Sequence, residues 1–520
     1  ACATHPVDLV TGTVMSMVGQ SSEKQLSQLL QRLSASAGSA DIAQGIAPGI
    51  PTGIVRDIVI DARRINSGCV WFALPGADRH GASFLDQAPE LPMAIITDDA
   101  GRRLLAPYAG PIFVVADPRA ALGPACAWLY DFPAAAMTMV AVTGTNGKTS
   151  VTHFLADAWR ACGHAGAVLG TLGLQISGND EPVEFGFTTP EADTLQRVLR
   201  KAHDLGVSHM AMEVSSHALA LHRADGIEFD VAVFTNLSQD HLDYHTDMED
   251  YFNAKSRLFA DGRCRRAVVC VDDEWGRRLA ADLAARDIPV LTYGLSDGDW
   301  RIISRTGSAV SVDASGTKVD LPTVSRGEFT ALNVVAAAAT LSMLEVAVGE
   351  LPHVLGACRP VPGRMEVLPG PSAQHPQVVV DYAHSPDAVA RVLSAARPEQ
   401  GRLIAVLGAG GGRDRGKRPL MGAAASVADV VVVTDDNPRD ENPAEIRAAV
   451  IGGVTSADVR EVADRREAIH SALSLARTGD VVAILGKGAE RGQQYGSEVR
   501  EFDDREVAAC ALAEWVDGSC

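Results

Sequence analysis

The stretch from Met137 to Trp159 constrains this chain more than any other. Met137 to Val142 is an apolar, β-prone run, Thr143-Gly144-Thr145-Asn146-Gly147-Lys148-Thr149-Ser150 follows, and then Val151, Phe154, Leu155, Ala158 and Trp159 recur at helical spacing. The pattern predicts a strand, a glycine loop and a helix. Such a loop supplies what a nucleotide phosphate needs: glycines that let backbone N–H groups approach, a helix N-terminus, a lysine for the outer phosphates and a hydroxyl for Mg²⁺. Val142 stands five residues before Gly147 where the longer loop has Gly, so this is the short G-x-x-G-K-T form. Taken alone, a structural turn with a chance lysine is the competing reading.

The rest of the chain reads as α/β. A helix is predicted over Glu23 to Leu33, followed by a stretch of small residues, and short apolar runs at Ile58 to Ile60, Val70 to Leu74, Ala94 to Thr97 and Ile112 to Val115 suggest a small α/β unit. Strand candidates at His209 to Val214, Asp230 to Phe234 and Arg266 to Val271 alternate with helical segments, which predicts a mainly parallel sheet. Near residue 361 the pattern restarts with Val378 to Val380, Leu403 to Leu407, Val430 to Val433 and Val481 to Leu485. Such nearly continuous apolar strands are buried on both faces, as in an open sheet covered by helices. Three domains are expected, 1–118, 119–361 and 362–520, within the two to four that 520 residues suggest.

Charge and composition narrow the partners. Against 65 Asp and Glu stand 46 Lys and Arg, a net charge of −19, which disfavours general nucleic-acid or membrane-surface binding while leaving room for an anionic small substrate in a local basic cleft. Ala1 to Gln20 has no basic leader with an apolar core, and no stretch reaches the roughly 20 apolar residues that span a bilayer. A cytoplasmic monomer is expected. The nine cysteines are scattered without a C-x-x-C pair, as expected of inert reduced thiols.

Four polar segments end or follow predicted strands: Thr188-Thr189-Pro190, Glu213 to His217, Thr235 to His245, and Tyr251 to Lys255. Loops at the C-terminal ends of parallel strands are where open sheets bind ligands. Mg²⁺ beside a nucleotide takes few protein ligands, so Thr149, Glu213 and one histidine suffice. The four-residue spacing of His241 and His245 also admits Zn²⁺, although no H-E-x-x-H is present. Gly408-Ala409-Gly410-Gly411-Gly412-Arg413 tempts a dinucleotide reading, but Arg413 replaces its third glycine and suits an anionic ligand instead.

Taken in order, Gly144 to Ser150, Glu213-Val214-Ser215-Ser216-His217, Ala331-Leu332-Asn333, Gly363-Arg364-Met365-Glu366 and Asp381-Tyr382-Ala383-His384-Ser385-Pro386-Asp387 resemble the signatures of the Mur ligase family, with matches from about residue 54 to 505. Within the family the chain is most similar to the diaminopimelate-adding type. The resemblance implies a UDP-substrate domain, a central ATPase with a mainly parallel sheet and a Rossmann-like domain that brings the amino acid. It further implies ATP and Mg²⁺ as cofactors and an ADP-forming ligation of meso-diaminopimelate to the D-glutamyl γ-carboxylate of UDP-N-acetylmuramoyl-L-alanyl-D-glutamate through an acyl phosphate.

Residue roles follow from the same resemblance. Gly144, Thr145, Asn146, Gly147, Lys148, Thr149 and Ser150 would hold the ATP phosphates, Asn333, Arg364 and Asp381 the adenosine, and Thr149, Glu213 and His241 the metal. Lys255 matches a lysine that carries a carbamate, an anion able to support a second Mg²⁺. Acceptor positions are Ile60, Ala62, Ala77, Asp78, Arg79, Thr188, Thr189, Ser215, Leu221 and Arg223. The family commonly has Ser in place of Ala62 and Gln in place of Leu221, so each position lacks a side-chain hydrogen bond.

For the amino acid the candidates are Arg413, Asp436, Asn437, Pro438, Arg439, Gly486 and Glu490. Arginines bind a distal carboxylate with paired donors, and Glu490 can accept from an ammonium group. Asp436-Asn437-Pro438-Arg439 is the family's mark of diaminopimelate use, whereas Ala489 stands where the family commonly has His. His384 is a candidate base for the incoming amine. Rival readings are a lysine- or ornithine-adding ligase, a folylpolyglutamate synthase, and a nucleotide-dependent switch that makes no bond.

Overall fold

The computed structural model describes residues 24–37, 53–176, 182–260, 262–455 and 458–515. The segment Ala1 to Gln20, Glu23, most of the small-residue stretch, Cys2 and Cys520 lie outside the described residues. The chain forms two compact units, one holding described residues up to Thr143 with Gly163–Ala232 and Ala254–Arg266, the other Gly144–Cys162, Val233–Asn253 and the chain from Ala267 on.

In the first unit, β1 (Asp57–Val59), β2 (Cys69–Phe72), β3 (Ala94–Thr97) and β4 (Ile112–Val114) form a parallel sheet in chain order. Its middle strands are buried throughout, as strands covered on both faces must be. The predicted N-terminal helix runs Leu26–Ala37, three residues later than its predicted start, because Gln25 forms a β-bridge with Ile54. Leu26, Leu29, Leu30 and Leu33 share one core with Val70, Phe72 and Trp128. The helix Pro118–Leu129 joins that core, started by Asp117, which accepts from the Arg119 and Ala120 amides, and by Pro118 at its first position.

The same unit carries β5 (Thr138–Thr143), β6 (Gly166–Gly170), β7 (Gly173–Ile176), β8 (His209–Glu213) and β9 (Phe229–Phe234) in the order β9-β5-β8-β6-β7. β8 lies parallel to β5 and β6, and β7 folds back antiparallel on β6. In the second unit β10 (Cys264–Cys270), β11 (Val290–Gly294) and β12 (Trp300–Arg305) pair parallel, whereas β13 (Ala309–Ala314) and β14 (Thr317–Pro322) add antiparallel. The predicted parallel character therefore holds in the middle and yields to antiparallel ribbons at the edges. β13 alternates buried and half-buried residues, the mark of a strand with one solvated face, and lacks the continuous apolar run that signals a buried strand.

The last sheet has the order β15-β16-β20-β17-β18-β19. Four of its strands, β16 (Gln377–Asp381), β17 (Leu403–Leu407), β18 (Val430–Val433) and β20 (Val481–Leu485), are the expected apolar runs, parallel and packed into a separate core on each face. The sequence pattern missed both edges, β15 (Glu366–Leu368) and β19 (Asp458–Glu461), because an edge strand needs no two-sided apolar run. Among the described residues no helix is long and apolar enough to cross a membrane. Burial pushes the thiols of Cys69 and Cys358 up to about 11 and about 12.

Candidate active site

Strand β5 ends at Thr143 and the chain turns through Gly144 into the helix Lys148–Ala161, whose buried face carries Val151, Phe154, Leu155, Ala158 and Trp159. Gly147 caps that helix at φ +90°, and a Cβ on it would stand 2.4 Å from Asn333 Oδ1, so only glycine fits. Asn333 is thus brought to the loop by the helix Glu328–Met343. Loop shape is set by the segment after β9. Asn146 donates its amide to Asn236 Oδ1 at 3.0 Å, and its carbonyl accepts from Thr235 Oγ1 at 2.6 Å and Asn236 Nδ2 at 3.1 Å. The Thr145 hydroxyl donates to the Ser238 carbonyl at 3.2 Å and lies 3.3 Å from the Tyr251 hydroxyl.

Lys148 Nζ folds onto its own loop, donating to the carbonyls of Gly144 and Thr145 at 2.9 Å each. Arg364 Nη2 donates to Thr149 Oγ1 at 2.8 Å while its guanidinium stacks 4.4 Å above the Tyr382 ring. Ser150 sits in the first helical turn. Asp381 accepts from the amides of Met365 and Ala383 at 2.7 and 2.8 Å, and burial raises its carboxyl although Arg364 pulls the other way. The expected phosphate-loop residues, Asn333 and Arg364 therefore meet, with Asp381 bracing the backbone on which Arg364 stands.

A carboxylate that sequence reasoning left without a role lies next to His241. Asp240 is 5% exposed, and its oxygens stand 3.5 Å from Lys417 Nζ, 3.6 Å from His384 Nε2 and 3.7 Å from His241 Nε2. Burial alone would raise its carboxyl, but His384, His241 and Lys417 hold it well below the ordinary range. Its position directly before His241 was the available signal. His384 donates through Nδ1 to the Tyr382 carbonyl at 2.8 Å, because a carbonyl only accepts, and turns Nε2 to Asp240. His245 faces elsewhere, with Nδ1 3.3 Å from Asp250 and its ring 5.0 Å from that of Tyr251.

In the first unit Glu213 ends β8 fully buried, its carboxylate accepting from the Thr171 amide at 3.0 Å and hydroxyl at 3.1 Å. Thr171 Oγ1 lies 3.2 Å from Thr188 Oγ1, Thr189 donates to the Glu213 carbonyl at 3.0 Å, and the Ser215 amide donates to Thr189 Oγ1 at 3.2 Å. Arg223 completes the group, donating to the Thr189 carbonyl at 3.2 Å, pairing with Glu191 at 2.6 Å and lying 5.0 Å over Phe187. Thr171 and Glu191 were missed: Thr171 follows the glycine-rich strand β6, which carried no signature.

Other expected positions are placed less tightly. The Ser215 hydroxyl accepts from the Ala218 amide and so starts the helix Ser216–Ala220, and Leu221 ends it. Lys255 is 1% exposed near the end of the helix Met248–Ser256. The Ile60 carbonyl accepts from Trp71 Nε1 at 3.1 Å, and Ala62 is buried at the start of a 3₁₀ turn. Ala77, Asp78 and Arg79 form an exposed loop, with Arg79 4.7 Å over Phe84. Taken each by itself as a donor to Mg²⁺, the Thr149 hydroxyl and the Glu213 carboxylate are hard oxygen ligands and the His241 imidazole a softer nitrogen one, and a buried carboxylate held by a neutral amide and hydroxyl suits a cation.

The loops after the last sheet's strands come together around glycines 410–412. A Cβ on Gly410 would stand 3.1 Å from Arg439 Nη1 and 3.9 Å from Arg413 Cγ, and Arg439 donates to the Gly411 carbonyl at 2.6 Å. Arg413 is half exposed, 3.8 Å from Asp243. Buried Lys487, to which the sequence assigned no role, donates to Asn437 Oδ1 at 3.1 Å and Glu490 at 3.2 Å, and Asn437 Nδ2 donates to Glu490 at 3.1 Å. Asp436 is held below the ordinary range by Lys487 and Arg465 against the effect of burial, and Gly486 donates its amide to the Asp381 carbonyl at 3.1 Å. Pro438 is buried and its carbonyl accepts from the Glu441 amide.

A strand, a short phosphate loop and a helix, in a chain whose six-stranded sheet carries converging polar loops, define a P-loop α/β enzyme. The Mur ligase middle domain matches residues 142–341, and the Mur ligase glutamate ligase domain matches 363–488. A protein of Chromobacterium violaceum named UDP-N-acetylmuramoyl-L-alanyl-D-glutamate–2,6-diaminopimelate ligase is 40% identical over 90% of this chain and 95% of its own length. Its namesake in Xylella fastidiosa is 42% identical over 91% and 98%. A solved structure of a ligase of that name shares 30% identity with a TM-score of 0.61, covering 89% of this chain and 95% of that one. Mycobacterium tuberculosis folylpolyglutamate synthase, at 19% identity and a TM-score of 0.59 over 76% of this chain and 94% of its own, shares the fold. The chain belongs to the Mur ligase family and is an acid–amino-acid ligase, as its ordered signatures implied.

Proposed function

We propose that this enzyme uses ATP and Mg²⁺ to join meso-diaminopimelate to the D-glutamyl γ-carboxylate of UDP-N-acetylmuramoyl-L-alanyl-D-glutamate, as a cytoplasmic monomer supplying peptidoglycan precursors. The three domains, 1–118, 119–361 and 362–520, divide the ligands as acceptor, nucleotide and amino acid. The relatives' names support the reaction. The observation that carries the choice of amino acid is the convergence of Arg439 and Arg413 on glycines 410–412, opposite in charge to a distal carboxylate.

Amide formation in water is uphill, so the carboxylate is activated first. Its oxygen bonds to the γ-phosphorus of ATP, the bond from that phosphorus to the β–γ bridging oxygen breaks, and ADP leaves. The amine nitrogen then attacks the acyl carbon, the acyl–oxygen bond breaks, and phosphate and a proton are released. Lys148 exchanges the Gly144 and Thr145 carbonyls for phosphate oxygens and steadies the transferring charge. Asn333 and Arg364 hold the nucleotide beside the loop, and Arg223, Thr188 and Thr189 hold the acceptor. Thr149, Glu213, His241 and carbamylated Lys255 would hold Mg²⁺, which supplies charge neutralisation for the phosphates. Closure of the domains keeps water from the acyl phosphate.

Phosphate release with Mg-ATP and the UDP-muramoyl dipeptide, in parallel with meso-diaminopimelate, L-lysine or L-ornithine, tests the reading. Release with meso-diaminopimelate alone, with the tripeptide product, is expected. Release with lysine or ornithine overturns the role of the two arginines. Nucleotide hydrolysis that needs neither acceptor nor amino acid points instead to a switch.

A further inference from the structure

The short helix Ser216–Ala220 ends in a turn whose residue after the cap, His222, has φ +58°. Arg223 donates its amide to the Ala218 carbonyl at 2.8 Å and His222 its own to Leu219 at 3.3 Å, the pair of bonds that normally closes over glycine. A β-carbon is unfavourable there, so the reason for histidine lies in its ring. Nδ1 stands 2.8 Å from Asp225 Oδ2 and carries the proton, because a carboxylate only accepts; Nε2 accepts from Arg257 Nη2 at 2.8 Å. Arg263 donates to the other Asp225 oxygen, and Asp117 lies 3.8 Å from Nε2. Although burial pushes the Asp225 carboxyl up, His222 and Arg263 hold it below the ordinary range.

These bonds join two pieces of the first unit that the reaction needs. On one side of His222 is Arg223, which reaches Thr189 and Glu191. On the other is Arg257, opening the 3₁₀ turn two residues after Lys255. We propose that His222 is a positioning residue whose imidazole bridges the Arg223 turn to the Arg257 end of the Lys255 segment, so that the acceptor-binding arginine and the lysine keep a fixed spacing. This rests on the acceptor role given to Arg223 under the proposed function.

The test is His222→Gly, which suits the backbone and removes the imidazole with its β-carbon, compared with His222→Asn and Arg257→Met in phosphate-release kinetics on the 520-residue chain. In the glycine variant KM for the UDP-muramoyl dipeptide rises about tenfold, while KM for ATP stays within about twofold. Arg257→Met, which cuts the bridge at its other end, gives the same split. Asparagine tolerates the left-handed backbone and offers both a donor and an acceptor, so His222→Asn recovers part of the loss. A glycine variant with the parent's acceptor KM, or with equal losses for all substrates, overturns the positioning role. A parent enzyme that does not turn over this acceptor overturns the functional reading itself, and this inference with it.

Discussion

The phosphate loop and the loops around glycines 410–412, the two proposed anion sites, are opposite constructions. In the first, Gly144 to Ser150 are contiguous, aimed by strand β5 and the following helix and held in shape by the segment after β9. In the second, Arg413, Asn437, Arg439 and Glu490 arrive from the ends of three strands, and a fully buried lysine, Lys487, ties Asn437 to Glu490. A contiguous site takes all its residues from one stretch of backbone, whereas a gathered one depends on the pairing of β17, β18 and β20 and on the hydrogen bonds that join their loops. The first should fail through chemistry, the second through selectivity.

The largest expected effect is that of Lys148→Ala. Phosphate release falls about a thousandfold or more while the circular dichroism spectrum and Tm stay near the parent's, since the bonds of Nζ to the Gly144 and Thr145 carbonyls lie within its own loop. Residual turnover near the parent's would break the assignment of the loop. Arg439→Ala comes next. Losing a charge-assisted contact worth about 1.5–3 kcal/mol should cut kcat/KM for meso-diaminopimelate about 10- to 100-fold and leave ATP binding unchanged, read by titrating each substrate. Equal damage to both would show that the gathered site is not separable from the loop.

Gly147→Ala probes the contiguous site sterically. A Cβ 2.4 Å from Asn333 Oδ1 at φ +90° should raise KM for ATP about tenfold and destabilise the fold by about 1–3 kcal/mol, measured by denaturant titration. The smallest effect concerns Glu441, which accepts from Arg418 and the Gly412 amide; these contacts lower its carboxyl from 4.5 to about 2. A lowered folded-state value stabilises fully above about pH 4.5, and the gain fades as the pH falls toward 2. Glu441→Gln should therefore lose about 0.5–1 kcal/mol at pH 7 and almost nothing at pH 2, in urea titrations at the two pH values.

Strands buried on both faces, β2, β3, β5, β8, β16, β17, β18 and β20, were legible because two-sided burial demands an unbroken apolar run. β7, β13, β14, β15 and β19 were not, because a half-solvated or edge strand tolerates Gln, Ser, Lys and Glu. The candidate site divides in the same way. Lys148, Glu213, Arg364 and Arg439 stand inside short ordered motifs, whereas Thr171, Glu191, Lys417 and Lys487 become visible only by what they touch.

Sequence alone determined the strand–loop–helix, the apolar strands, the family and hence the class of reaction, all of which rest on local backbone preference or on short contiguous patterns. Tertiary structure decided which polar groups meet: His241, His384 and Lys417 around Asp240, Arg364 on Thr149, and the histidine at residue 222 between Asp225 and Arg257. Electrostatic and hydrogen-bond partners separated by tens to hundreds of positions are chosen by the fold, since a charge acts over a few ångströms of space and has no period along the chain.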